Sequence, residues 1–162
     1  MGYDISIVKD GEVCYAKDGE VVPFAGSNYP IGGSPRLSVC ITFNYVGLLR
    51  DSLGGDGLDD LAGCNVKCTI GKLSDAIEKL SGMDDKPWIE KRRQELRYAI
   101  WSRENDPKMS DIVIMLKKDL KDFEDNPGNY WVETPTNVKK AIEGLLWMAE
   151  HAPDGSTWEV HG

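Results

Sequence analysis

The stretch from Ser38 to Leu49 changes its apolar period at Tyr45. Up to that residue the apolar positions alternate, as on a strand with two unlike faces: Val39, Ile41, Phe43 and Tyr45. Beyond it they follow helical spacing: Leu48, Leu49 and Leu53. Asn44 stands at this junction, where a side-chain oxygen can accept a free backbone N–H of a helix that begins there. We therefore predict that Asn44 is a structural helix cap, worth about 1 kcal/mol, and not a ligand contact.

The first third of the chain has the pattern of short antiparallel strands. Alternating runs at 3–8 and 12–16 each end at Asp-Gly, which supplies the positive φ of a tight reversal. A third strand is predicted at 21–24, where Pro23 favours a sheet edge. After a loop at 25–36, rich in Gly, Ser and Pro, the strand at 38–45 completes a small β-meander.

The remainder reads as helices, with one short strand at 157–160. Apolar residues recur at helical spacing in five segments, which begin near residues 45, 69, 85, 106 and 134. Strands followed by helices indicate an α+β fold, with several helices packed on one face of the antiparallel sheet. The 162 residues suit a single domain.

Charge divides the chain unevenly. The whole chain carries 19 Lys and Arg against 27 Asp and Glu, a net charge of −8. Residues 84–125 hold 11 acidic and 10 basic residues, which leaves the rest at −7. We therefore interpret 84–125 as a helical insertion into an acidic body. The overall charge disfavours direct binding of nucleic acid or an anionic membrane surface.

Two polar segments are candidates for binding. The 25–36 loop, with Asn28 and Tyr29, has the length of a ligand loop, although it lacks the Gly-Lys arrangement of a phosphate-binding loop. The acidic turn holds Asp56, Asp59 and Asp60 but misses the calcium-loop spacing, so a solvated turn is the preferred interpretation.

A basic and aromatic cluster lies in the third predicted helix. It consists of the basic residues Lys91, Arg92, Arg93 and Arg97, with Trp88, Tyr98 and Trp101 nearby. Such interleaving can grip a nucleic-acid backbone. However, Glu90 and Glu95 lie at helical spacing from the arginines and favour ordinary surface ion pairs. If the cluster binds a ligand, an acidic patch of a protein fits it as well as an RNA does.

Metal and catalytic motifs give no comparable lead. Cys64 and Cys68 do not have the spacing of a redox pair or a common zinc site, and we expect the four cysteines to behave as small buried hydrophobes. Neither a nucleophile motif nor paired carboxylates are present, so we expect a chain that is not an enzyme and needs no cofactor or metal. The five tryptophans are instead typical of protein interfaces.

Several short motifs resemble those of small phage and prophage proteins that open with Met-Gly-Tyr-Asp. The matching segments are Gly2-Tyr3-Asp4, the strand end Ile41-Thr42-Phe43-Asn44-Tyr45, Tyr130-Trp131, Thr134, Asn137 and Asp154-Gly155. The resemblance covers residues 1–82 and 129–162, with Phe43 departing from the usual tyrosine. It implies a phage context, in which small proteins without catalytic motifs are often inhibitors of host machinery or defence.

The leading hypothesis is an acidic, non-enzymatic protein that binds a host or bacterial protein. It would be a phage-encoded inhibitor of a bacterial defence complex, similar to an anti-CRISPR protein, that blocks a nucleic-acid-binding or assembly surface. The alternative is a protein that sequesters a small ligand or nucleotide with its 25–36 loop. The N-terminus has no basic segment before an apolar one, so we expect the cytoplasm of a bacterial host cell and no membrane insertion.

Overall fold

A computed structural model describes residues 2–20, 29–30 and 36–162 of the chain. The strands are β1 (Gly2–Lys9), β2 (Glu12–Val13), β3 (Tyr29–Pro30), β4 (Ser38–Thr42) and β5 (Thr157–His161). The α-helices are α1 (Val46–Leu53), α2 (Ile70–Ser81), α3 (Lys86–Trp101), α4 (Ser110–Asp125) and α5 (Pro135–His151). The α+β fold expected from the sequence is therefore confirmed. The strand predicted at 21–24 lies outside the described residues.

The strand order differs from a meander. Within the described residues the sheet runs β2-β1-β4-β3, all antiparallel, and β5 pairs with β1 as well. β1 therefore lies inside the sheet, between β4 and β5. Its side chains Tyr3, Ile5 and Ile7 are buried, and a strand with a buried face is stabilised when both of its edges are paired. The meander prediction is wrong because these pairings join distant parts of the chain.

The turn from β1 into β2 follows the predicted chemistry. Asp10 and Gly11 both have positive φ, 54° and 80°, as a two-residue reversal requires. Lys9 then pairs with Glu12 across the turn.

The main core lies between the sheet and the helices α1, α2 and α5. Its fully buried members include Leu48, Leu73, Ile142 and Trp158. Trp158 is 1% exposed and donates its indole N–H to Thr69 Oγ1 at 2.9 Å. This bond satisfies the polar atom of a large ring, so the return strand β5 is fixed to the start of α2.

The segment 84–125 forms an antiparallel pair of helices, which we call the helical hairpin. α3 and α4 pack on each other over a small second cluster, built from Leu96 and Phe123 with Val132 of the following loop. Asp85 Oδ1 accepts the Thr136 N–H at 2.9 Å and joins the base of the hairpin to α5. The hairpin thus has its own small core beside the main one.

The cysteines do not all follow the expected burial. Cys14 is buried and Cys40 is half-buried, whereas Cys64 and Cys68 are exposed. The prediction is wrong for the latter pair because Cys64 precedes a short 3₁₀ turn at the surface, Val66–Thr69, and Cys68 lies within it, where Val66 is the buried apolar residue. Among the described helices, none combines the length and the apolar character that crossing a membrane requires.

Candidate functional site

The Asn44 side chain forms a hydrogen bond to a distant loop and does not cap a helix. The cap of the 3₁₀ turn Phe43–Tyr45 is Thr42, whose Oγ1 accepts the Asn44 backbone N–H at 3.3 Å. The Asn44 side chain points elsewhere, and its Nδ2 donates to the Trp131 carbonyl at 3.1 Å. The cap prediction is wrong because the strand ends at Thr42, three residues earlier than the apolar alternation indicates.

Glu133 supplies the acceptor that α1 lacks from its own cap residue. No side chain at Tyr45 caps α1, and the Glu133 Oε1 accepts the Leu48 N–H at 2.6 Å. Burial raises the pKa of Glu133, while the backbone N–H groups of Leu48 and Gly47 and the charge of Lys91 act in the opposite direction. This carboxyl group thus has a structural role, because its oxygen accepts a backbone N–H at a helix N-terminus.

Asn137 holds the other side of the same loop. This residue is 5% exposed, and its Nδ2 donates to the carbonyls of Asn129 and Val132, both at 3.0 Å. Its backbone N–H is bonded to Thr134 Oγ1 at 3.2 Å, the cap of α5. A Tyr45 hydroxyl bond to the Tyr130 carbonyl completes the set. The loop 129–133 is therefore fixed by side chains from two separate elements, the 3₁₀ turn Phe43–Tyr45 and α5.

This fixed loop forms one wall of a cleft against the hairpin. Two adjoining cavities, of about 130 and 230 Å³, share Asn44, Arg92, Trp131 and Val132. The smaller one is also lined by Trp88, Lys91, Glu95 and Glu133. The larger one is also lined by Leu96, Asp119, Asp122, Phe123, Asn126 and Asn129. Two of the residues predicted from the sequence, Trp88 and Arg92, thus meet in one concave site.

The cleft combines flat rings with charges of both signs. Trp131 is 46% exposed, and the Lys91 ammonium lies 5.6 Å from the centre of the Trp88 ring. Arg92 adds a second cation at the boundary of the two cavities. Aromatic stacking beside a cation suits a planar or anionic group of a small ligand.

The arginines of the basic cluster are engaged in surface ion pairs. Each lies within ion-pair distance of a glutamate: Arg92 of Glu95 (3.4 Å), Arg93 of Glu90, and Arg97 of Glu124 (3.0 Å). The first two pairs have the helical spacing that the sequence indicated. The third joins α3 to α4, so Arg97 contributes to the cohesion of the hairpin. These side chains therefore do not form one continuous cationic surface.

The outer face of α3 carries an exposed aromatic pair. Tyr98 and Trp101 are 67% and 65% exposed, and their ring centres lie 5.7 Å apart with a tilt of 37°. The buried residues Leu96 and Ile100 occupy the opposite side of the helix, toward the hairpin core. Both rings were expected near the basic cluster, but only Trp101 was predicted as a binding residue. Their spacing of three residues places both rings on one face of the helix.

Sequence reasoning also missed an exposed apolar group on α4. Ile112, Ile114 and Met115 are 41%, 68% and 55% exposed. They belong to an unbroken run of five apolar residues, 112–116, and this run is the signal that was available. Ile112 was expected on the buried stripe of this helix, but that stripe consists of Val113, Leu116, Leu120 and Phe123. A helix that is apolar all round is usually covered on every side.

The acidic turn has internal partners. Asp60 Oδ2 accepts the Asp56 N–H at 3.1 Å and lies 3.8 Å from Lys72 Nζ. Asp59 begins the 3₁₀ turn Asp59–Leu61. Nowhere in the described part of the chain do three or more histidine, cysteine or acidic side chains gather as metal ligands would. The turn is organised by its own hydrogen bonds.

The 25–36 loop is described only in part. Asn28 lies outside the described residues, whereas the backbone of Tyr29 belongs to β3 and pairs with Cys40 of β4. The chain has no match among protein-family models, curated proteins or solved structures. The candidate binding sites are therefore the cleft and the outer faces of the hairpin.

Proposed function

We propose that this chain is a non-enzymatic protein that binds another protein through the outer face of α3. The observation that carries the proposal is the exposure of two adjacent large rings, Tyr98 and Trp101. Two-thirds of each side chain faces solvent on a helix whose opposite side is already packed. An aromatic pair in that position is a ready anchor for a partner protein.

The hairpin presents this face away from its own core. Leu96 belongs to the hairpin core and Ile100 is also buried, so a partner can cover the Tyr98–Trp101 face without disturbing the packing of α3 against α4. Covering apolar surface is worth roughly 25 cal/mol per Å², and rigid aromatic rings lose little conformational entropy when they are covered. The two rings supply specific contacts that a diffuse charged surface lacks.

Charge supports a partner with a basic surface. Most of the net charge of −8 resides outside the hairpin, whose own acids and bases nearly cancel. An acidic body speeds encounter with a cationic groove, and the aromatic anchors then fix the register. Nucleic-acid-binding complexes carry such grooves. Together with the resemblance to phage proteins, this favours a phage-encoded inhibitor that blocks a bacterial defence complex in the manner of an anti-CRISPR protein.

The test is retention of a partner from bacterial lysate. A tagged chain is expected to retain a stoichiometric protein at low salt and to release much of it at high salt, because the encounter is electrostatic. The double variant Tyr98→Ala with Trp101→Ala should lose that partner. Tyr15→Ala removes a ring of similar exposure, 59%, outside the hairpin and is the matched control. Equal retention by all three proteins would refute the α3 face as the binding surface.

A second candidate function is the binding of a small planar anion, such as a nucleotide, in the cleft. The cleft favours it because Trp88, Trp131 and Arg92 converge there. The alternative based on the 25–36 loop stays a separate prediction, since most of that loop lies outside the described residues. A nucleotide that binds should raise the melting temperature of the wild type and much less that of Trp131→Ala. No shift with any nucleotide would exclude this candidate.

A further inference from the structure

The outer side of α4 carries an apolar pair between two opposite charges. Ile114 and Met115 face away from the hairpin core, which α4 contacts through Val113 and Phe123. Asp111 precedes the pair and Lys118 follows it, and both are exposed. The spacing of three, four and seven residues places all four side chains on one face of the helix. We call Asp111, Ile114, Met115 and Lys118 the outer face of α4.

This face is complementary to itself when two copies of α4 run antiparallel. We propose that a second copy of the chain docks there, with a two-fold axis between Ile114 and Met115. Ile114 of each copy then opposes Met115 of the other, so the exposed apolar surface is covered on both sides. Asp111 lies as far before the axis as Lys118 lies after it. The axis therefore brings Asp111 of each copy against Lys118 of the other, twice.

The positions of Asp111 and Lys118 also favour the antiparallel arrangement over a parallel one. In a parallel pair in register, Asp111 would face its own copy and Lys118 would face its own copy, and like charges repel. Antiparallel helices also align their dipoles favourably. Because its own sequence supplies the complementary charge at the matching distance, a second copy suits this face better than an unrelated helix.

The dimer goes beyond the proposed function and leaves its surface free. Tyr98 and Trp101 lie on the outer face of α3, on the far side of the hairpin core from Ile114. Two copies joined through α4 would therefore display two aromatic faces to partners. A bivalent protein gains avidity toward a partner that is itself repeated.

Sedimentation velocity over a series of concentrations tests the proposal. The contact is small, so we expect a concentration-dependent exchange between monomer and dimer. Ile114→Lys should raise the dissociation constant by about a hundredfold or more, because an apolar contact is lost on both sides of the axis. Tyr98→Lys is the matched control, since the two side chains are 68% and 67% exposed on opposite faces of the hairpin. It should leave the dimer unchanged.

Reversing the charges provides the sharper test. Asp111→Lys or Lys118→Asp alone places like charges together twice in the dimer and should weaken it by about tenfold. The double variant exchanges the two charges and should restore dimerisation, while an unrelated contact would be damaged twice. Melting temperatures of the variants establish that each one is folded. A monomer at every concentration, or a double variant weaker than both single ones, would overturn the proposal, whichever way the partner experiment turns out.

Discussion

Replacing Asn137 tests whether one buried amide fixes the loop that walls the cleft. Its Nδ2 donates two bonds of 3.0 Å, and the side chain is 5% exposed. Each bond contributes about 0.5–1.5 kcal/mol net, so Asn137→Ala should lower the free energy of unfolding by about 2 kcal/mol. Asn137→Asp keeps the shape but turns a donor into an acceptor beside two carbonyl oxygens. We expect it to cost more, at least about 3 kcal/mol.

Urea denaturation followed by tryptophan fluorescence measures these losses. A loss of about 2 kcal/mol corresponds to a melting temperature lowered by about 4–8 °C in a chain of this size. Asn137→Asp should recover part of its loss in acid, because a buried carboxyl group has a raised pKa and its protonated form can donate one bond. Asn44→Ala is the control, since it removes one bond to the same loop from an exposed side chain, and it should cost less than about 1 kcal/mol. If Asn137→Asp were as stable as Asn137→Ala at neutral pH, the two bonds would not hold the loop.

Three further changes test other parts of the fold. Burial raises the pKa of Glu133 above its ordinary value. Between the pKa of the unfolded chain and that of the folded chain, the folded chain retains a proton that the unfolded chain has lost, so the free energy of unfolding falls as pH rises through this range. Glu133→Gln keeps the acceptor for the Leu48 N–H and should flatten this slope in denaturation curves measured at several pH values; an unchanged slope would contradict the assignment. Trp158→Phe should cost about 2 kcal/mol by losing the bond to Thr69, and Thr69→Val should add little more once that bond is gone, as a double-mutant cycle would show. Gly55→Ala should lower the melting temperature, because Gly55 has φ of 57° and an added Cβ would collide with the Asp60 side chain; Gly71→Ala, in open space on α2, should not lower it.

Local elements were predictable from the sequence because their signals are local. The Asp10-Gly11 reversal follows from the positive φ that these two residues tolerate, and α2 and α5 follow from apolar spacing between clear start and stop residues. The pairing of β1 with β4 and β5 was not predictable in the same way. Each strand shows a buried face, but alternation alone does not specify which distant strand lies beside it.

The candidate site was predictable only in its single residues. Trp88 and Arg92 were identified by type, and the structure brings them to one cleft. The other wall of the cleft, the loop 129–133, was not predictable from the sequence. Its position depends on hydrogen bonds from Asn44 and Asn137, which are distant in sequence or in another element, to its backbone carbonyls. In the run at 112–116, Ile112, Val113 and Leu116 were expected on the buried face, and no role was predicted for Ile114 and Met115. A continuous apolar run cannot tell a buried helix from one that awaits a partner.

Some of the residues that carry the resemblance to phage proteins lie together, and their contacts there are structural. Asn44 and Tyr45 bond the carbonyls of Trp131 and Tyr130, and Asn137 bonds the same loop from the other side. Residues of this kind hold the body together whatever the protein binds, so a shared set of them indicates a shared scaffold and says little about the ligand. The hairpin lies outside the resemblance and carries both exposed apolar faces. Binding specificity is therefore best sought at 84–125.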